Sequence, residues 1–100
     1  MTHAIAHLRW LSEKEGGRTT PFSGRRYMAP VDLGEAGTWT LVIDRSGESP
    51  REEETVLIHF LMEDAPHPTL QPGVTFDVQE GTRTVAQAEV SEVFELSLAA

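Results

Sequence analysis

Apolar and polar residues alternate along much of this chain, and this period of two restricts its fold more than any other feature. In segment 4–11, Leu8 and Trp10 fall on one face and His7 and Arg9 on the other. Successive side chains of an extended strand point to opposite sides, so the pattern predicts a β-strand. No segment of the sequence shows a convincing helical period.

Five further segments are predicted to be strands, and glycine or proline residues separate most of them. They are 26–33, 38–45, 55–62, 74–79 and 83–96. Pro30 interrupts the first of these and indicates an edge strand or a bulge. Glu80-Gly81-Thr82 predicts a tight hairpin between the last two strands. The final segment is long for one strand, so we expect a bend near Ala88 or a β-bulge.

Six short strands favour a closed antiparallel β-barrel, because closure pairs the strand edges that an open sheet leaves exposed. A two-sheet sandwich is the main alternative. One hundred residues are enough for a single domain, which we assign to residues 1–100. The residues expected to form the core are Leu8, Trp10, Leu41, Ile43, Ile58, Phe60, Phe76 and Val85.

One strand raises the question of what lies outside the barrel. In segment 55–62, Ile58 and Phe60 share one face while Leu57, His59 and Leu61 share the other. Both faces are therefore apolar, and we expect a neighbouring element or a partner to cover the outer one. Trp10 and Trp39 are expected in the core or as plugs at a barrel end.

Composition limits the functional classes. The chain has no cysteine, which excludes disulfides, thiolate metal sites and thiol catalysis, and is compatible with a cytoplasmic location. Neither a secretory signal nor a membrane-spanning apolar run is visible. The net charge is −8, unlike that of a typical duplex nucleic-acid binder. Residues 1–31 are nevertheless basic and residues 32–100 strongly acidic, so one face could attract an anionic partner.

Two glycine loops carry the most specific pattern in the sequence. Residues 15–22 read E-G-G-R-T-T-P-F, and residues 80–85 read E-G-T-R-T-V. Glycine permits a tight turn, and the β-branched residues that follow favour an extended strand. If the two loops lie side by side in the barrel, Arg18 and Arg83 would flank one rim and form a positive patch that Arg25 and Arg26 extend.

These loops and their flanking segments resemble the C-terminal β-barrel domain of elongation factor Tu and related translational GTPases. The similarity covers residues 6–22, 55–66, 73–76 and 80–85, and it is weak between residues 27 and 54. It implies a six-stranded Greek-key barrel. In that family the barrel contacts the T-stem of transfer RNA, and Arg18, Glu80 and Gly81 match positions at that surface.

The candidate binding residues are therefore in the two loops and in the short segment that follows the first loop. They are Arg18, Arg25, Arg26, Glu80, Gly81 and Arg83. A purely structural role is the alternative, in which Arg18 and Arg83 cap turns or pair with Glu15 and Glu80. Tyr27, beside the two arginines, is a further candidate for an exposed binding surface. The acidic run 52–54 is expected to be solvated.

Catalytic signatures are missing from the sequence. It contains no phosphate-binding loop and no nucleophile elbow. His3 and His7 would lie about 13 Å apart on a strand, too far to share a metal. His59 and His67 are expected to be structural. We therefore expect no enzyme, no metal and no cofactor.

Three functions remain open. The first is a protein-binding module whose partner is a translation component, and the second is an RNA-binding module that uses the basic loop. The third, a small-molecule or metal-dependent enzyme, has the least support.

Overall fold

A computed structural model describes residues 1–96 and confirms the all-β prediction. The six strands are β1 (Thr2–Trp10), β2 (Arg26–Asp32), β3 (Thr38–Asp44), β4 (Glu53–Phe60), β5 (Thr75–Glu80) and β6 (Arg83–Glu95). Three 3₁₀ turns, each of three residues, lie in the loops. None of the helices in this part of the chain is long and apolar enough to cross a membrane.

The strands close into an antiparallel barrel in the order β1-β4-β3-β2-β5-β6, and β6 pairs with β1. Strands β2, β3 and β4 are consecutive neighbours, and β5 returns to lie beside β2, which is the Greek-key arrangement. The barrel is therefore the predicted closed form and not a sandwich.

The core fills the barrel interior with the inward side chains of the alternating strands. Seven of the eight residues expected there are buried: Leu8, Leu41, Ile43, Ile58, Phe60, Phe76 and Val85. Trp10 is the exception, because it lies at the last position of β1 and is only half-buried. It plugs the barrel end, which was the other role expected for it. Trp39 is likewise half-buried against the core.

Strand β6 is long because it pairs with two neighbours, and it bends at a bulge. Along β1, Ile5 pairs with Glu92 while Ala6 pairs with Val90, so Ser91 is the extra residue. The bend therefore lies at Ser91 and not near Ala88. A second register shift separates Val78 from Gln79 on β5. These irregularities let β6 turn from one neighbour to the other as the barrel closes.

The β2–β5 seam is the weakest joint of the barrel, with one bridge between Val31 and Val78. The carbonyl of Thr40 accepts a hydrogen bond from Leu61 and so faces β4. Its cross-strand partner Pro30 must then direct its backbone toward β5, where the missing N–H removes a donor from the ladder. Pro30 thus gives β2 an edge-like side within a closed barrel.

Strand β4 ends at Phe60, earlier than expected. Leu61 and Met62 follow it and are exposed, while Leu57 and His59 on the outer face are half-buried. The inner face of β4 is fully covered by the core.

The two barrel ends can now be defined. At the first end β1, β3 and β5 finish and β2, β4 and β6 begin; it carries loops 11–25 and 45–52 and turn 81–82. At the second end β2, β4 and β6 finish and β1, β3 and β5 begin. This end carries loops 33–37 and 61–74 together with residues 1 and 96.

Candidate binding cleft at the first end of the barrel

Loop 11–25 begins with a compact turn that the local sequence dictates. The Ser12 hydroxyl accepts a hydrogen bond from the backbone of Glu15, and the Glu15 carboxylate accepts one from the backbone of Ser12. The backbone hydrogen bond from Ser12 in this capping box, and then a separate hydrogen bond from Arg9, lower the pKa of Glu15. Gly16 adopts φ 92°, and a Cβ on Gly17 would lie 2.1 Å from the Leu11 carbonyl oxygen. The two glycines are thus required for different reasons.

The residues after this turn do not form the expected strand. Thr19 and Thr20 lie in loop 11–25, and the next strand begins only at Arg26. The β-branched threonines lack a neighbouring strand edge with which to pair, so their propensity is overridden. The loop instead crosses the first end of the barrel.

Phe22 anchors the crossing loop by closing the barrel with two other aromatic rings. It stacks on Trp10 with ring centroids 5.8 Å apart and meets Tyr27 edge-on at 4.7 Å. Trp10 and Tyr27 are also edge-to-face, at 5.2 Å. Offset and edge-to-face geometries are the favourable ones for aromatic pairs. Tyr27 is consequently buried and is not the exposed binding residue that its neighbours Arg25 and Arg26 suggested.

Glu80 ties the two glycine loops together. Its carboxylate accepts hydrogen bonds from both the Tyr27 hydroxyl and the Arg18 guanidinium. Burial raises the pKa of Glu80, but these two donors outweigh it, and the pKa lies below its usual range. Burial, followed by the nearby Glu80 charge, raises the pKa of Tyr27. Burial alone would lower the pKa of Arg18, yet the pairing with Glu80 raises it overall.

A second ion pair is fully enclosed next to the Trp10 and Phe22 rings. Arg45 Nε donates to Glu54 Oε2 at 2.8 Å, and the two side chains are 0% and 2% exposed. The Arg45 guanidinium also donates to the carbonyls of Gly24 and Ser49, and Trp10 Nε1 donates to the same Glu54 oxygen. Loops 11–25 and 45–52 are therefore fastened to each other through one buried cation. Glu54 is not part of a solvated acidic run, as the sequence had suggested.

A cleft of about 400 Å³ opens between these two loops. Its apolar lining includes the side chains of Trp10, Leu11 and Phe22. The stack between the Trp10 and Phe22 rings holds these two side chains in place. Pro50 and Arg51 from loop 45–52 also line it. Arg51 is exposed and makes no ion pair with any residue in the range 1–96. The cleft thus combines an apolar floor with the available cation of Arg51. Glu13 and Glu52 also line it, and neither carboxylate makes an ion pair within residues 1–96.

All six candidate residues lie at the first end, but they do not form one free positive patch. Arg18 is bound to Glu80, and Arg83 donates to the Gly17 carbonyl at 3.5 Å. Arg26 pairs with Asp44 at 2.8 Å, and Arg25 lies 4.0 Å from Glu48. Gly81 makes the tight turn beside them, with φ 62°. The geometry of Arg18 and Arg83 matches the structural alternative.

Charge is separated along the barrel axis, not along the chain. All eight Lys and Arg residues belong to the first end, and the second end has none among residues 1–96. They are Arg9, Lys14, Arg18, Arg25, Arg26, Arg45, Arg51 and Arg83. Eight of the sixteen carboxylates accompany them: Glu13, Glu15, Asp44, Glu48, Glu52, Glu53, Glu54 and Glu80. The first end is therefore close to neutral, and the net charge of −8 belongs to the rest of the barrel.

The residues that shape the cleft were partly missed from the sequence. Glu54 precedes Val56 and Ile58 in the same inward alternation, and Arg45 follows Ile43 in the same way on β3. Two opposite charges on inward faces, both at strand termini, were a detectable signal of a buried pair. No local signal marked Arg51, because its position depends on how two distant loops meet.

Comparison with known proteins adds no assignment: neither the protein-family models nor the curated proteins include a match to this chain. Within the described residues, no three His, Asp or Glu side chains are grouped in a way that could hold a metal ion.

Proposed function

We propose that this protein is a non-enzymatic binding module that holds a segment of another protein in the cleft at the first end. The observation that carries the proposal is the combination of an apolar floor with the unpaired Arg51 at its side. An apolar anchor of the partner would pack on Trp10 and Phe22, and a carboxylate next to it would reach Arg51. Buried apolar contact supplies affinity, and the charge supplies orientation.

The rigidity of the cleft supports this function. Trp10 is held by stacking and by its hydrogen bond to Glu54. The Cζ atoms of Arg18 and Arg45 lie 5.7 and 5.5 Å from the centroid of the Phe22 ring. A site that is already formed loses little conformational entropy when it binds. The resemblance to the elongation factor Tu barrel points to a translation component as the partner. A cytoplasmic location, which the cysteine-free composition fits, belongs to the same proposal.

RNA binding has weaker support from the geometry. Arg18 and Arg26 already neutralise carboxylates, and equal numbers of acidic and basic residues surround them. Phosphate recognition needs cations that can replace the counterions of the nucleic acid.

The experiment uses a substitution that fills the cleft and leaves the rings of Trp10, Phe22 and Tyr27 unchanged. The partner is first captured from native extract with the unmodified chain, identified, purified and titrated. Thr19 is exposed and lines the cleft. Thr19→Tyr is expected to weaken binding of the partner by roughly tenfold or more, as loss of an anchor pocket does. Thr20→Tyr changes the neighbouring exposed position, which does not line the cleft, and is the matched control.

Charge reversal at Arg51 tests the second element of the site. Arg51→Glu is expected to weaken the same partner and to reduce the salt dependence of its affinity. Equal affinity of the partner for the unmodified chain, Thr19→Tyr and Arg51→Glu would contradict the proposal. Transfer RNA that binds with a steep salt dependence and is unaffected by Thr19→Tyr would favour the RNA alternative instead.

A further inference from the structure

A row of side chains runs around the outside of the barrel and is independent of the cleft. Cross-strand pairing places Met28 beside Val42, Val42 beside His59, and His3 beside Phe94. The His3 and His59 rings meet with centroids 4.6 Å apart and complete the row from β2 to β6. These five residues are called the outer strip.

The outer strip lies on the outer side of the barrel wall because its chain neighbours face inward. Val42 and His3 are nevertheless buried, at 1% and 7% exposed, so the accessible part of the strip consists of Met28, His59 and Phe94. Ala4, Leu41 and Ile58 are core residues next to His3, Val42 and His59 along their strands. Met28 and Phe94, at the two extremes, are 55% and 37% exposed. Nothing in residues 1–96 folds over these two side chains.

The surroundings of the outer strip are also apolar. Ile5 and Leu57, which pair with each other, lie half-buried on one side of it. Large exposed hydrophobic side chains lie on the other side, at the second end. They are Met1, Leu61, Met62 and Leu96. Monomeric soluble proteins rarely leave extended apolar patches uncovered unless something binds there.

His59, at the centre of the outer strip, does not make this surface basic at neutral pH. Burial, and then the adjacent His3, lowers the pKa of His59 below its ordinary value. The His59 Nδ1 atom is buried without a hydrogen-bond partner. His3 is itself buried and stacks on Phe94 at 6.0 Å. The half-buried His59 ring therefore contributes contact area without a positive charge at pH 7.

Carboxylates border the outer strip, and the cations next to it are already paired. The N-terminal ammonium, for example, lies 3.4 Å from a Glu95 carboxylate oxygen. Glu63 and Asp64 follow Met62, and Glu92 pairs with Ile5; none of these carboxylates makes an ion pair with any residue in the range 1–96. Arg26 lies two residues before Met28, but Asp44 neutralises it at 2.8 Å. The border is therefore anionic, and the field of the whole protein has the same sign.

From this apolar centre and anionic border we infer that the outer strip is a docking surface for a cationic protein segment that presents apolar side chains between Lys or Arg residues. The apolar side chains would cover Met28, His59 and Phe94, and the cations would lie against Glu63, Asp64 and Glu92. A neutral partner would gain nothing from the border, and an acidic one would be repelled by it. This inference concerns a different face from the cleft and does not depend on the proposed function.

The test uses a synthetic peptide of alternating leucine and lysine, with a leucine–glutamate peptide as control. Each peptide is titrated into the isotope-labelled chain. The leucine–lysine peptide is expected to shift the backbone amide signals of the outer strip, and the leucine–glutamate peptide is not. Met28→Ser combined with Phe94→Ser changes two exposed side chains, so the fold is retained. This pair is expected to weaken binding roughly tenfold.

A charge-matched pair of variants separates the local border from the total charge. Glu63→Gln, Asp64→Asn and Glu92→Gln together are expected to weaken the lysine peptide several-fold and to flatten its salt dependence. The control combines Glu13→Gln, Glu48→Gln and Glu52→Gln at the first end, with the same change in net charge. This control variant is expected to bind nearly as well as the unmodified chain.

Four results would overturn the inference. The first is amide shifts that map to the cleft, and the second is unchanged binding after Met28→Ser with Phe94→Ser. The third is equal weakening by the two charge variants, which would indicate a non-specific charge effect. The fourth is self-association of the peptide-free chain that the Met28 and Phe94 substitutions abolish, because a second copy would then occupy the outer strip.

Discussion

The two ends of this barrel are closed by different physical interactions. At the first end, the aromatic rings of Trp10, Phe22 and Tyr27 are held among ion pairs such as Arg45–Glu54. At the second end, loop 61–74 packs Ala65 and Leu70 into the core above Phe60, and its His67 ring meets the Phe60 ring edge-on.

Both ends have a cavity, since loops 33–37 and 61–74 enclose one of about 540 Å³ at the second end. The difference between the ends therefore concerns how the loops are held and where apolar residues remain exposed. Ion pairs and hydrogen bonds are directional, so the first end fixes its loops in one arrangement with a defined space between them. Apolar packing is not directional, and closure of the second end leaves Leu61 and Met62 in solvent. Three substitutions test this contrast.

The largest effect is expected at the apolar end, from Phe60→Ala. Phe60 is fully buried, and its truncation leaves a cavity that should lower the free energy of unfolding by about 3–5 kcal/mol. Urea denaturation at pH 7 measures it, with Phe94→Ala at an exposed position as control. A loss below about 1 kcal/mol for Phe60→Ala would place its ring outside the core.

Arg45→Leu tests the polar end and is expected to cost about 3 kcal/mol of unfolding free energy, because it leaves the buried Glu54 carboxylate without its cation. Arg26→Leu removes a cation from the exposed pair with Asp44 and is the control, expected to cost less than about 1 kcal/mol. Equal costs for Arg45→Leu and Arg26→Leu would show that the buried pair does not fasten the first end.

The smallest effect is a pH dependence at the outer strip. The folded protein holds the pKa of His59 below its unfolded value of about 6.5, chiefly by burial. Folding thus disfavours the protonated form of His59. The contribution of neutral His59 to the unfolding free energy is therefore present above the unfolded pKa and is lost as the pH falls toward the folded pKa. His59→Gln should reduce the fall in unfolding free energy between about pH 7 and pH 5. An NMR titration midpoint of His59 at or above the unfolded value would contradict this assignment.

Local sequence signals were sufficient for most of the fold. Alternation identified the strands, the Glu80-Gly81-Thr82 turn identified the last hairpin, and the length of the final segment indicated a bulge. Errors occurred where tertiary contacts override a local preference. Thr19 and Thr20 have β propensity but no strand to pair with, and Tyr27 is buried because Phe22 folds over it.

The sequence singled out the two glycine loops as a candidate site but did not describe their contacts. Both loops lie at the first end of the barrel, where Arg18 is bound by Glu80. The available cation beside the cleft is Arg51, which no motif singled out.

The sequence by itself determined which residues are extended, which side each one faces and where the chain turns, because these properties depend on neighbours within a few positions. Only the tertiary structure decided that all eight cations gather at one end, that Arg45 meets Glu54, and that Met28 and Phe94 belong to one strip. Strand order and register set these long-range meetings, and a one-residue slip in pairing would place different side chains opposite each other. Register depends on the whole barrel closing at once, with bulges such as that at Ser91 to absorb the mismatch.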